Sequence, residues 1–267
     1  VSETGSRVAV HQAAQDDFGS GDAPRRQRRS RSGKPLIAIA VAVVVVAAAV
    51  VVGVVLMGGE DKGGAAPAKV LPTVYTPQAP NAHTAGLARR TADPRPLTEA
   101  EVFTEATRRV SYRDYAFTLA GSHVSADCKA VTWGERLQAD LEKHGCNQIV
   151  RGAYVSADKA HVGQFFAVNL ADQAGAEQIS RDLNPQAQAG FVVPLEAPGV
   201  KDFGRGYSAA YGQIYGHYLI VAWVQRAGGA EPARGLSELI DISLAVEKPG
   251  DFVWGRLQLL PDVRRNN

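Results

Sequence analysis

"NQIVRGAYVSADKAHVGQFFAVNL", Asn147 to Leu170, reads as two β-strands and the turn between them. Both halves are rich in β-branched and aromatic side chains, which suit a pleated sheet. Asp158 and Lys159 supply the turn. Upstream, "WGERLQADLEKHG" (Trp133–Gly145) predicts a helix that buries Leu137 and Leu141 and stops at Gly145. "YRDYAFTLAGSHV" (Tyr112–Val124) predicts a strand with Tyr115, Phe117 and Leu119 on one face. Downstream, "ADQAGAEQISRDL" predicts a short helix stopped by Asn184-Pro185, and "GFVVPL" a short strand that Pro194 places at an edge or an end.

From Tyr112 to Leu195 the order is therefore β-α-β-β-α-β, the ferredoxin-like pattern. "GRGYSAAYGQIYG" and "HYLIVAWVQRA" extend it as a hairpin pivoting near Tyr215-Gly216, the second half being a central strand. "GLSELIDISLAVE" adds a last helix with Leu236, Leu239, Ile240 and Leu244 inward. "LTEAEVFTEATRRV" precedes the unit as a helix opened by a Thr98/Glu101 capping box, with Val102, Phe103, Ala106 and Val110 as its apolar stripe. The fold class expected is α+β: one domain over residues 97–267, with an antiparallel sheet covered by helices on one face.

The rest of the chain predicts a membrane protein. Residues 35–57, Pro35 to Met57, carry no charged side chain. A helix of that length reaches roughly 34 Å, enough for a hydrocarbon core of about 30 Å. Arg25, Arg26, Arg28, Arg29, Arg31 and Lys34 precede it, which places residues 1–34 in the cytoplasm as a disordered basic tail and the C-terminal portion outside. A cleaved signal peptide would have an apolar region of only about 7–15 residues, and the arginines match a twin-arginine signal poorly. Residues 58–96, rich in Pro, Ala and Gly, read as a semi-extended stalk. The lipid bilayer is thus one partner, through residues 35–57. Residues 98–267 hold 17 basic and 20 acidic side chains, which argues against nucleic acid as a partner of the outer domain.

Cys128 and Cys146 are the only cysteines, both in the predicted outer domain, where a disulfide is permitted. One straight helix from Cys128 to His144 would hold the cysteines roughly 24 Å apart. A bridge therefore requires the helix to start later, near Trp133-Gly134. No C-x-x-C and no H-E-x-x-H occurs, so the sequence offers no metal site and no cofactor site. Ser122, His123 and Asp127 have the ingredients of a catalytic triad, but adjacent strand residues point apart and no G-x-S-x-G elbow presents a serine. D-F-G at Asp202–Gly204 stands without the other kinase motifs, and no catalytic residue is assigned.

Tyr207, Tyr211, Tyr215, Tyr218 and Trp223 concentrate aromatic rings in one hairpin, with Arg205 and Arg226 as polar edges. Packing explains such rings in most proteins; the functional reading is a binding surface for a ligand or an envelope protein. "DCKAVTWGERL", "HGCNQIVRGAYVS" and "GHYLIVAWVQR" resemble segments of uncharacterised actinobacterial single-pass membrane proteins. That resemblance implies an extracytoplasmic domain behind one anchor and brings no activity, cofactor or catalytic residue. The expected function is a membrane-anchored binding or interaction module of the cell envelope. A cell-wall hydrolase or transferase and a membrane signalling regulator are the alternatives.

Overall fold

The two most apolar runs of the domain lie side by side at the centre of a sheet. The computed structural model describes residues 69–260. In it β6 (His161–Asn169) is buried at every position and β9 (Tyr218–Arg226) at all but the last. The other strands are β1 (Val74–Pro77), β2 (Arg109–Tyr112), β3 (Tyr115–Ser125), β5 (Gln148–Ser156) and β8 (Ser208–Tyr215). Seven strands form one sheet in the order β1-β8-β9-β6-β5-β3-β2. Every pairing is antiparallel except β1 with β8. β4 (Thr132–Trp133) and β7 (Phe191–Val192) make a separate two-stranded ribbon.

Helices cover both faces of the sheet, not one. Val150 and Tyr154 on β5 face one core while Ile149 and Ala153 face the other, so the central strands carry apolar residues toward both faces. Among the described residues the six α-helices are α1 (Glu99–Val102), α2 (Glu105–Arg108), α3 (Glu135–Lys143), α4 (Gln173–Asp182), α5 (Leu236–Val246) and α6 (Phe252–Gln258). Leu137 and Leu141 of α3 and Ala176 and Ile179 of α4 pack on the first face. Leu239, Ile242, Ala245 and Val246 of α5 and Val253 of α6 pack on the second.

The ferredoxin-like order is not what the strands adopt. β3 and β5 are antiparallel neighbours, and Phe191–Val192 leaves the sheet for the ribbon. The disulfide gives the physical reason. Cys128 and Cys146 are bonded with Cα atoms 6.4 Å apart, so the end of β3 lies beside the start of β5 and the two strands must run in opposite directions. As the bridge requires, α3 starts late, after Gly134 at φ 99°. Gly134 and Gly190 approach so closely that a Cβ on either would strike the backbone of the other's segment.

Three further expectations are corrected. The stretch 97–110 is not one helix. Thr98 caps α1 through its Oγ1, 3.2 Å from the Glu101 nitrogen, but the chain breaks at Phe103, which turns inward against Phe165. Ala106 is exposed, and Val110 is buried on a strand. In α5, Leu236 and Ile240 are 43% and 44% exposed, and Glu238 and Asp241 are buried instead. Polar contacts set this rotation: Glu238 is hydrogen-bonded to His161 at 2.9 Å and lies 3.5 Å from Arg226, and Asp241 pairs with Arg113 at 2.9 Å. Finally, the described part of the expected stalk, residues 69–96, belongs to the fold. β1 lies there, and Leu87 is fully buried.

Arg256 fastens that segment. Only 1% exposed, it donates to Asp93, to Glu101, to the Arg95 and Pro96 carbonyls and to the Tyr218 hydroxyl. Burial alone would raise the Asp93 carboxyl. The hydrogen bonds from Arg256 and Tyr218 outweigh it and hold the group below the ordinary carboxylate value. The tail expected at 1–34 and the span expected at 35–57 lie outside the described residues. Among the described residues no helix is long and apolar enough to cross a membrane.

Candidate functional site

Between β7 and β8 the chain runs as a strap, residues 193–207, across the first face of the sheet. Pro194, Pro198 and Gly199 keep it from forming a strand or a helix. It is fixed by side chains that rise from the strands beneath. Gln164 of β6 binds the Leu195 backbone twice, accepting from its N–H at 2.9 Å and donating to its carbonyl at 3.0 Å. Arg151 of β5 donates from Nη1 to the Val193 carbonyl at 2.9 Å. Gln225 of β9 accepts from the Gly204 N–H at 2.8 Å. Trp223 lies beneath, stacked edge-on by Phe191 and Phe203, each with ring centres 4.8 Å away.

The strap borders a cavity of about 780 Å³. Val193, Leu195, Val200 and Phe203 give it apolar walls, while Glu196, Lys201, Asp202 and Arg205 ring it with charge. This size and this mix of walls suit a small-molecule or peptide site. Asp202 pairs with Arg205 at 3.0 Å and holds a left-handed backbone, φ 52°. Such a conformation is uncommon outside glycine and concentrates at functional positions.

Arg151 is the unusual group. It is 8% exposed, and among the described residues no carboxylate lies within 4.0 Å of it. Its Nε has no hydrogen-bond partner within the protein. Its cross-strand neighbours are His123 on β3 and Phe166 on β6, neither an anion. Burial disfavours the charged guanidinium and lowers its pKa.

No known protein family, no curated protein and no solved structure matches the chain.

The aromatic hairpin anticipated from the sequence divides between the two faces. Tyr218 and Trp223 are buried on opposite faces. Tyr211 and Tyr215 of β8, and Tyr207 just before it, pack toward the second face and are each half-buried. Arg205 borders the strap cavity, and Arg226 reaches Glu238 at 3.5 Å at the far end of β9. Beside the tyrosine row, Tyr215 donates to Gln213, whose amide donates to Glu247, and Trp254 packs edge-on against Tyr215 with ring centres 5.7 Å apart. Burial, with Asp251 nearby, raises Glu247 to about 7.

The Ser122, His123 and Asp127 set does not assemble. Ser122 donates to Glu99, and Asp127 accepts from the Lys129 and Ala130 backbone nitrogens. Among the described residues no group of three or more potential ligands converges on a metal position. Arg151 and Gln164 were not singled out from the sequence. Their signal was a polar residue inside an apolar strand, "IVRGAYV" and "VGQFFAV".

Proposed function

We propose that residues 69–260 form a binding domain held on the outer side of a cell membrane by residues 35–57. The observation that carries this reading is the cavity that the strap encloses: apolar walls and a charged rim, both supplied by the strap, which strand side chains hold in place through its backbone. The Cys128–Cys146 disulfide supports an oxidising compartment. The orientation rests on the basic cluster before residue 35. The half-buried row of Tyr207, Tyr211 and Tyr215 is a second surface on the opposite face, suited to a protein partner because tyrosine joins a large apolar area to a polar tip.

The test compares full-length protein, solubilised from membranes, with a Val193→Trp variant that fills the cavity. Native mass spectrometry and peptide identification read what each retains. A small molecule or protein kept by the wild type and lost from the variant supports the cavity as the site. An identical set from both contradicts it.

A further inference from the structure

The charges around the strap cavity do not balance. At the rim, Lys201 and Arg205 are matched in number by Glu196 and Asp202. Behind the Val193 wall, Arg151 is matched by nothing: it is buried, its Nη1 is spent on one carbonyl, and its Nε is unpartnered. Removing a cation from water without a paired anion is costly, and buried charges are ordinarily paired. A charge placed behind a low-dielectric wall also projects its field into the adjoining space, where water screens it less. The walls on which that field falls are Val193, Leu195, Val200 and Phe203.

We propose that the strap cavity takes a small amphiphilic carboxylate, an aliphatic or aryl body ending in one negative charge, with Arg151 supplying the attraction for the charge. The apolar body lies against Leu195, Val200 and Phe203, and the carboxylate points to the Val193 side. Arg151 has then been kept for a charge that arrives with the ligand. This assignment rests on the reading of the cavity as a binding site, and names the class of molecule it binds.

The test uses the full chain in nanodiscs of zwitterionic lipid, with empty nanodiscs as the blank. Isothermal titration calorimetry follows two probes, 4-phenylbutyrate and its uncharged analogue 4-phenylbutan-1-ol. The wild type is expected to bind the carboxylate about tenfold or more tightly than the alcohol, with a preference that shrinks as salt rises. Arg151→Gln keeps a donor for the Val193 carbonyl but removes the charge, and is expected to abolish the preference. Arg151→Lys keeps the charge and is expected to retain most of it. A carboxylate preference that survives in a folded Arg151→Gln variant would assign the attraction to the rim cations Lys201 and Arg205 and overturn the role of Arg151. Equal affinity for the two probes overturns the assignment of charge and leaves the cavity as an apolar site. Binding of neither probe overturns the assigned ligand class. If the Val193→Trp variant still loses a retained molecule in that case, the proposed function stands without it.

Discussion

Gln164 and Leu195 exchange two hydrogen bonds, one in each direction, 31 residues apart in sequence. A side-chain amide here does for the strap what a neighbouring strand does for a sheet. Gln164 is 2% exposed, so deleting it leaves the Leu195 N–H and carbonyl without their partners at a part-buried position. Gln164→Ala is expected to speed exchange of the Leu195 amide about tenfold or more. The amide of Val221, at the centre of the sheet, should keep its protection. Hydrogen exchange read by mass spectrometry checks both. Unchanged exchange at Leu195 would mean that the strap is held by other contacts.

Arg256 ties α6 to the segment before α1. Arg256→Leu leaves Asp93 buried with only the half-exposed Arg95 as a cation and removes the partner of Glu101. Breaking a buried pair in this way costs about 3–5 kcal/mol. Urea denaturation should show a loss of unfolding free energy of that size, and a loss under about 1 kcal/mol would show the network to be dispensable. The sign with pH follows from the lowered Asp93 carboxyl. A depressed acid stabilises the fold above its ordinary pKa, and that contribution is lost as pH falls through the lower folded value.

Glu247 titrates in the opposite sense. Burial raises it to about 7, so the folded state holds this proton more tightly than the unfolded state. Stability therefore declines as pH rises from the ordinary glutamate range, about 4.3, to about 7, and is level above that. Glu247→Gln removes this decline. Melting temperatures of wild type and variant should match near pH 5 and separate near pH 8, with the variant higher. The reverse order at pH 8 would show that the charged form is favoured in the fold.

The disulfide closes a segment with a sequence separation of 18. Loops of that size are worth about 3 kcal/mol in the chain-entropy model. Reduction should lower the melting temperature by on the order of 10 °C. A change within error would mean that α3 and β5 hold the segment without the bond.

Much of the architecture was legible locally. The runs at 148–156 and 161–169, their turn, and the helix over 135–143 follow from side-chain spacing alone, because each is defined by its own periodicity. What failed depended on distant partners. The cysteine pair was legible, and so was the late helix start that it requires; that the same bond sets β3 and β5 antiparallel shows only with both strands in place. Leu236 and Ile240 fit a helical stripe, but partners for the buried Glu238 and Asp241 turned the helix. Prolines and alanines in 69–96 masked Val74, Tyr75 and Leu87, which find partners only across the finished sheet. Arg205 was expected at the edge of the aromatic hairpin and lies instead at the rim of the strap cavity. Arg151, Gln164 and Gln225 show their purpose only once strand register places them under the strap.

Membrane-impermeant biotinylation of intact cells, read by lysine-resolved mass spectrometry, tests the proposed placement most directly. Lys201, exposed at the rim of the cavity, should be labelled, while Lys34, before the apolar run, should react only after lysis. Labelling of Lys34 on intact cells with Lys201 protected would contradict an outward-facing binding domain.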